Sequence, residues 1–191
     1  MEDASKGYKV SIPFILIAVM FVSAVVIITP LVSNISNVES KSFNIVIRDG
    51  LIYKQGDSSP YTGHIKDTVE NKIIGYDVVK GLKHGEFFIT TLAGNSSISG
   101  FVENNKNVGT WKYFYDDGLL ESTGDFSDDK PHGKWTWYYK NGKVKSEGNY
   151  VSGKPEGRWI RFDTQGHPNL IIFYSGGKIV NEVKIDRPES V

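Results

Sequence analysis

Glycine returns at an interval of 24 residues through most of the chain, in three parallel series. The first series is Gly85, Gly109, Gly133 and Gly157, the second is Gly94, Gly118, Gly142 and Gly166, and the third is Gly100, Gly124 and Gly148, with Ile172 at the next place. Large aromatic residues keep the same interval at Phe87, Trp111, Trp135 and Trp159, and again at Phe126, Tyr150 and Tyr174. A fixed interval of this length predicts a stack of supersecondary units, each supported by its neighbours.

Each unit has the pattern of a β-hairpin. Runs rich in β-favouring residues, such as "TWKYFY" and "KWTWYY", are followed by Asp117-Gly118 or Asn141-Gly142. These dipeptides favour two-residue primed turns, in which both turn residues have positive φ. The sequence therefore predicts hairpins that turn on these two pairs.

A two-residue turn fixes which residues face each other across a hairpin. It predicts that Trp135 faces Gly148 and that Gly133 faces Tyr150. A ring that lies over a strand glycine restores the packing that the glycine lacks, so we expect Trp135 to cover Gly148 and Tyr150 to fill the gap at Gly133. The positions expected to repeat this arrangement are Gly109, Trp111, Gly124, Phe126, Gly133, Trp135, Gly148, Tyr150, Gly157 and Trp159. In the last unit Trp159 would face Ile172, which predicts less regular packing there.

Side chains alternate between the two faces of a strand, so the pairing also predicts the faces. The inner, packed face is expected to hold the rings at Trp111, Tyr113, Tyr115, Trp135, Trp137, Tyr139, Phe126, Tyr150 and Tyr174. The outer face is polar except for one aromatic stripe, Phe114, Tyr138 and Phe162. This stripe is a candidate partner-binding surface; alternatively, its rings lie on the stems of neighbouring Lys and Glu side chains.

The segment before the repeats has the composition of a membrane anchor. There is no charged residue between Lys9 and Glu39, and the 21 residues 12–32 are almost wholly apolar, which as a helix would span about 30 Å. A cleaved signal peptide is the alternative, because Val22-Ser23-Ala24 offers a small residue for cleavage. We expect an uncleaved anchor with the N-terminus in the cytoplasm.

These patterns predict an all-β meander of β-hairpin repeats in an elongated curled sheet, preceded by one transmembrane helix. The expected segments are a short N-terminal stretch 1–10, an anchor 11–32, a Ser/Asn-rich linker 33–43 and a repeat domain 44–191. The expected units of the domain are 63–84, 85–108, 109–132, 133–156 and 157–180. The chain's end, "KIVNEVKIDRPES", alternates Ile179 and Val183 with polar residues and then meets Pro188, which predicts a last edge strand closed off by charge.

Composition and spacing argue against catalysis and most ligands. Lys+Arg and Asp+Glu are equal at 22 each, so no basic field indicates a nucleic-acid partner, and there is no cysteine. His84 and His132 lie two units apart, about 19 Å in a stack of strands, which is too far for one metal site. The carboxylates near Asp128 are explained by turn formation. We expect no catalytic residue, metal, cofactor or small-molecule substrate, with a carboxylate-dependent envelope hydrolase as a distant alternative.

The pattern G-x-W-x-x-Y-Y-x-N-G-x-x-x-x-E-G-x-Y-x-x-G-K-x-x-G, from Gly133 to Gly157, resembles the MORN repeat variant of bacterial proteins grouped as YwqK-type antitoxins. "RDGLIYKQGDSSPYTGHI", residues 48–65, resembles the opening of such domains. The resemblance implies a hairpin stack that binds proteins or membrane lipids. It also implies, as an alternative, an antitoxin or immunity-like protein that neutralises a toxic partner.

Anchor and repeats together predict a single-pass, membrane-tethered, non-catalytic binding or scaffold protein. The expected location is a bacterial inner membrane, with the repeat domain outside the cytoplasm. A protein partner is expected, with possible lipid contact and a membrane association through residues 11–32.

Overall fold

A computed structural model describes residues 45–186, which form two antiparallel sheets. The smaller sheet is the hairpin of β1 (Ile45–Arg48) and β2 (Leu51–Lys54). The larger sheet contains eleven strands that follow one another in chain order. They are β3 (Gly63–Val69), β4 (Lys72–Val79), β5 (Leu82–Thr91), β6 (Ser96–Glu103), β7 (Lys106–Phe114), β8 (Leu120–Ser127), β9 (Lys130–Tyr138), β10 (Val144–Val151), β11 (Lys154–Phe162), β12 (Pro168–Ser175) and β13 (Lys178–Lys184). The predicted all-β meander is confirmed, and the sheet is open because β3 and β13 do not pair with each other.

Along one edge of the large sheet, the strands are joined by two-residue turns. Asp128 and Asp129, between β8 and β9, have φ of 54° and 63°, and the flanking Ser127 and Lys130 pair directly. Two positive φ values in succession define the type I′ turn. The same geometry recurs at Asn104-Asn105. The primed turns therefore connect consecutive hairpins, near the end of each 24-residue unit, and do not lie at Asp117-Gly118 or Asn141-Gly142.

The turns at the predicted positions, within each hairpin, are longer than predicted. At the β7–β8 connection the amide of Gly118 donates to the carbonyl of Tyr115 at 2.8 Å, and the amide of Tyr115 donates to the carbonyl of Leu119 at 2.9 Å. Gly118 has a φ of 85°, whereas Asp117 has no positive φ. The loop thus has three residues, a type I turn closed by a left-handed glycine. The prediction of two-residue primed turns at Asp117-Gly118 and Asn141-Gly142 was wrong.

The predicted register nevertheless holds, because a second irregularity compensates for the longer loop. A bulge lies between Tyr113 and Phe114 in the β7–β8 pair, beside the turn. It shifts the pairing by one residue, so that Trp111 faces Gly124. In the next hairpin Trp135 faces Gly148 in the same way. The last hairpin pairs Trp159 with Ile172, as expected from the broken glycine series.

The core of the large sheet is a ladder of rings on one face. Trp135 is fully buried, and Trp111, Phe126, Tyr150 and Trp159 are each less than one-tenth exposed. Consecutive rings touch along the sheet; for example, the centroids of Trp135 and Phe126 are 5.4 Å apart with an edge-to-face angle of 84°. Such contacts contribute beyond the area that they bury. This is the inner face predicted from strand alternation.

The predicted anchor, residues 11–32, lies outside the described residues. Between Ile45 and Asp186, the structure has no helix that is both long and apolar enough to cross a bilayer.

Candidate binding surface

The glycines of the 24-residue pattern have two different physical causes. At Gly100, Gly124 and Gly148 a Cβ atom would overlap the ring of Trp111, Trp135 and Trp159 respectively. At Gly109, Gly133 and Gly157 the space for a Cβ atom is open, but φ lies between 62° and 69°. The first set lets a ring lie on the backbone, and the second set permits a left-handed bulge that few other residues adopt.

Two predictions about ring cover therefore need correction. The ring of Trp135 covers Gly124 of the preceding unit, and Gly148 is covered by Trp159 of the following unit. Gly133 is not a gap filled by Tyr150, since nothing lies within 4 Å of where its Cβ would be. The error arises because the strand of Gly148 has a tryptophan strand on both sides, and only the later tryptophan lies over the glycine.

Each tryptophan is fixed by a hydrogen bond that also repeats. The indole Nε1 of Trp135 donates to the carbonyl of Asp125 at 3.0 Å. Trp111 and Trp159 donate in the same way to the carbonyls ten residues before them, at 3.2 Å in both cases. The polar group of each buried indole is thus satisfied, and the ring is held in one orientation over the glycine.

The aromatic stripe Phe114, Tyr138 and Phe162 lies at the last residues of β7, β9 and β11. All three side chains are half-buried. They point away from the ring ladder, because the neighbouring inner residues such as Tyr113 and Trp137 belong to that ladder. Successive stripe residues lie two strands apart, which corresponds to about 10 Å.

Tyrosines of the preceding unit hold the backbone of two stripe residues. The hydroxyl of Tyr115 donates to the carbonyl of Tyr138 at 2.6 Å. The hydroxyl of Tyr139 donates to the carbonyl of Phe162 at 2.7 Å. The burial of Tyr115 together with nearby carboxylates raises its pKa, so this hydroxyl remains a donor at neutral pH. The stripe is therefore positioned by the units behind it.

Charged residues form exposed ion pairs elsewhere on the large sheet. Lys134 Nζ lies 2.8 Å from a carboxylate oxygen of Glu147, and this contact raises the pKa of the lysine. Lys106 pairs with Asp128 across two neighbouring turns, which lowers the pKa of Asp128. These pairs are exposed and contribute little to stability.

The residues considered for catalysis lie apart from any enclosed cavity. His84 faces Asp77 on β4, and His132 faces Asp125 on β8. Two depressions of about 280 Å³ lie open at the surface, one around Lys134 and Arg158 and the other around Arg161 and Lys184. Among residues 45–186 there is no group of three or more His, Asp or Glu side chains with the arrangement of a metal site.

Two features of the large sheet were not predicted from the sequence. Lys83 is 5% exposed, and within residues 45–186 its Nζ has no hydrogen-bond partner. The Nζ lies 5.1 Å from the centroid of the Tyr76 ring, and burial lowers the pKa of Lys83 to about 8. Proline occupies the same place in later units, at Pro131 and Pro155, which was the available signal for a buried position.

The second missed feature is an apolar row on the outer face of the last unit. Ile160 faces Ile171 across β11 and β12, and Ile171 faces Val183 on β13. The corresponding residue to Ile160 is Lys112 in one earlier unit and Thr136 in the next. The change from polar to apolar at one repeat position was visible in the sequence.

Residues 131–152 match the family model of the MORN repeat variant. This match covers one hairpin, from the start of β9 to the end of β10. None of the curated proteins compared with the chain matches it. The family comparison therefore identifies the repeat, and the regular glycine and ring contacts extend the same arrangement to neighbouring strands.

Proposed function

We propose that the chain is a membrane-tethered, non-catalytic scaffold that holds a protein partner on the outer face of its large sheet. The observation that carries this proposal is the difference between the two faces of the large sheet. Buried rings pack against each other on the inner face, whereas the outer face presents the half-buried stripe Phe114, Tyr138 and Phe162. Aromatic side chains held in fixed positions are typical anchors of protein interfaces.

The match to the MORN repeat variant supports a binding role, because such hairpin repeats form scaffolds rather than catalytic centres. Membrane tethering is supported by the apolar run of residues 12–32. Tethering would restrict the partner to the vicinity of the membrane and raise its effective concentration there.

The direct test is crosslinking of the full chain in its own membrane, followed by identification of the captured proteins. We compare the native chain with the variant Phe114→Ala/Tyr138→Ala/Phe162→Ala. Because the stripe is half-buried, the melting temperature of the variant is measured first to establish that it folds. A partner captured by the native chain and lost with the folded variant supports the proposal.

Phe101→Ala is the matched control, since Phe101 is a phenylalanine on β6, outside the stripe, and is 48% exposed. It should capture the partner as well as the native chain does. Equal capture by all three chains would contradict a role for the stripe. A small toxic protein as the specific partner would instead indicate a neutralising function for the same surface.

A further inference from the structure

The aromatic stripe is part of a longer apolar band on the outer face of the large sheet. Leu120 and Val144 lie directly opposite Phe114 and Tyr138 within their hairpins, and both are half-buried. Directly opposite residues of an antiparallel pair share one face. The band thus presents three rings, the last of them Phe162, with smaller apolar side chains between them.

This band is narrow, and polar residues border it. In the preceding hairpin the equivalent places are taken by Thr90 and Ser96, which pair with each other. Beside Phe114 and Tyr138, the next outer residues along the strands are Lys112 and Thr136. An amphipathic helix buries an apolar stripe about 100° wide, which spans more than one row of side chains. A single row of rings therefore favours a thinner, extended ligand.

The spacing of the rings matches one extended conformation. Successive rings lie two strands apart, or about 9.6 Å at a strand spacing of about 4.8 Å. A polyproline II helix has three residues per turn and rises about 3.1 Å per residue, so its residues i, i+3 and i+6 share one side at intervals of about 9.3 Å. In a β-strand, residues i and i+3 point to opposite faces. A polyproline II segment therefore meets all three rings in step, whereas a β-strand does not.

Lys112 gives the band a positive charge at one end. It is exposed and lies two residues before Phe114, on the same face of β7. None of the ion pairs among residues 45–186 includes Lys112. At the other end of the band, the apolar Ile160 takes the equivalent place before Phe162. A ligand with a carboxylate near Phe114 therefore complements the charge of the band.

We propose that this band binds a proline-rich segment of the partner in the polyproline II conformation, with an acidic residue next to Lys112. The inference rests on the proposed scaffold function and names the kind of segment that the stripe holds. Proline at every third position places its rings against the aromatic side chains, and the hydroxyl of Tyr138 can donate to a backbone carbonyl of the segment. Because proline already favours this conformation, the segment loses little entropy on binding.

The test is selection of random peptides displayed on phage, with the full chain in lipid nanodiscs as the target. The selected peptides should carry proline at i, i+3 and i+6 and Asp or Glu at one end. One of them, synthesised with a fluorescent label, is then titrated with the native chain and with the folded variant Phe114→Ala/Tyr138→Ala/Phe162→Ala. Fluorescence anisotropy should show at least tenfold weaker binding by the variant, and unchanged binding by the control Phe101→Ala.

Lys112→Glu tests the charge at an exposed position, and this test does not require the triple variant to fold. Selection on Lys112→Glu should replace the acidic residue by Lys or Arg at the same end of the peptides. An unchanged acidic preference, selected peptides without the three-residue proline interval, or no selected peptide would overturn the inference. Leucines at i, i+3, i+4 and i+7 would indicate a helical ligand and leave the scaffold function standing. Equal binding of the selected peptide by the native chain and the triple variant would count against the stripe, and so against both proposals.

Discussion

At its first strand the large sheet is covered by other residues of the chain, whereas at its last strand the described chain leaves it open. Ile65 on β3 and Val78 on β4 are 3% and 1% exposed, while Ile179 on β13 is 45% exposed. Both ends carry β-branched residues, so composition does not explain the contrast. One structural difference is the additional hairpin of β1 and β2, whose Ile52 is buried and donates its amide to the carbonyl of Gly81, between β4 and β5, at 2.9 Å.

The comparison teaches where a repeat sheet obtains its stability. A single layer buries side chains only where neighbouring strands, a curled backbone or an added cap cover them. The tryptophan-over-glycine contacts supply that cover through the middle of the sheet and end with Trp159 on Gly148. On the next strand Ile172 occupies the position where a glycine would continue the series, so no further ring lies on a glycine among the described residues.

The largest expected effect comes from removing the same side chain at the two ends. Ile65→Ala should lower the free energy of unfolding by about 2–5 kcal/mol, because it leaves a cavity at a side chain that is buried in the native structure. Ile179→Ala should cost less than about 1 kcal/mol, because the side chain is already solvated. Chemical denaturation followed by tryptophan fluorescence measures both. Similar losses for the two variants would show that the ends are equally packed.

Lys83 should make the stability of the folded chain depend on pH, and the direction of the change follows from its lowered pKa. Burial lowers the pKa of Lys83 from 10.5 to about 8. Between these values the unfolded chain binds a proton that the folded chain does not, so stability rises with pH in this window. Below about pH 8 both states are protonated, and the full cost of the buried cation, on the order of 3 kcal/mol, is present.

The variant Lys83→Met isolates this effect, since it keeps the length of the side chain and removes the amine. It should be more stable than the native chain at pH 7, and the difference should shrink as the pH rises from 8 to 10. Subtracting the variant's profile removes contributions shared by both chains, including those of tyrosines such as Tyr76, whose pKa is about 12. A difference that is independent of pH would contradict the burial of a cation at this site.

The end of the ring ladder gives an intermediate effect. Gly148→Ala should cost about 1–3 kcal/mol, because the added methyl group overlaps Trp159. Gly157→Ala should cost about 1 kcal/mol, because that position has open space but a left-handed backbone.

Asparagine separates the two causes, since it tolerates positive φ. Thermal unfolding of Gly157→Asn should resemble that of the native chain, while Gly148→Asn should remain destabilised. If both asparagine variants unfold at the same temperature, ring cover at Gly148 is not the reason for its glycine.

Much of this fold could be predicted because an interval of 24 residues places equivalent residues on every second strand. The pairing of Trp135 with Gly148 was predicted from the repeat and an assumed two-residue turn, and strand alternation then gave the inner face. The turn at Asn141-Gly142 was mispredicted because the dipeptide also suits a three-residue loop, where only the glycine needs positive φ. Because a bulge beside the loop shifts the pairing back by one residue, the wrong turn type did not change the predicted register.

The sequence predicted which residues lie on the outer face, but not the hydrogen bonds that hold them. Strand alternation placed Tyr138 on the outer face, yet spacing could not show that the hydroxyl of Tyr115 holds its backbone. Which tryptophan covers Gly148 was equally inaccessible, because both neighbouring strands supply one. The exposure of β13 depends on what lies beyond it in space, and a repeat pattern carries no information about that.

The smallest effect is expected at the apolar row of the open end. Val183→Thr keeps the branched shape and replaces one methyl group by a hydroxyl, on a side chain that is 43% exposed. The hydroxyl remains solvated, so unfolding should change by no more than about 0.5 kcal/mol. Val102→Thr is the matched control, since Val102 is 4% exposed and the same change buries a hydroxyl at a cost of about 1–3 kcal/mol. A loss at Val183 as large as that at Val102 would mean that another surface covers the outer face of the last unit.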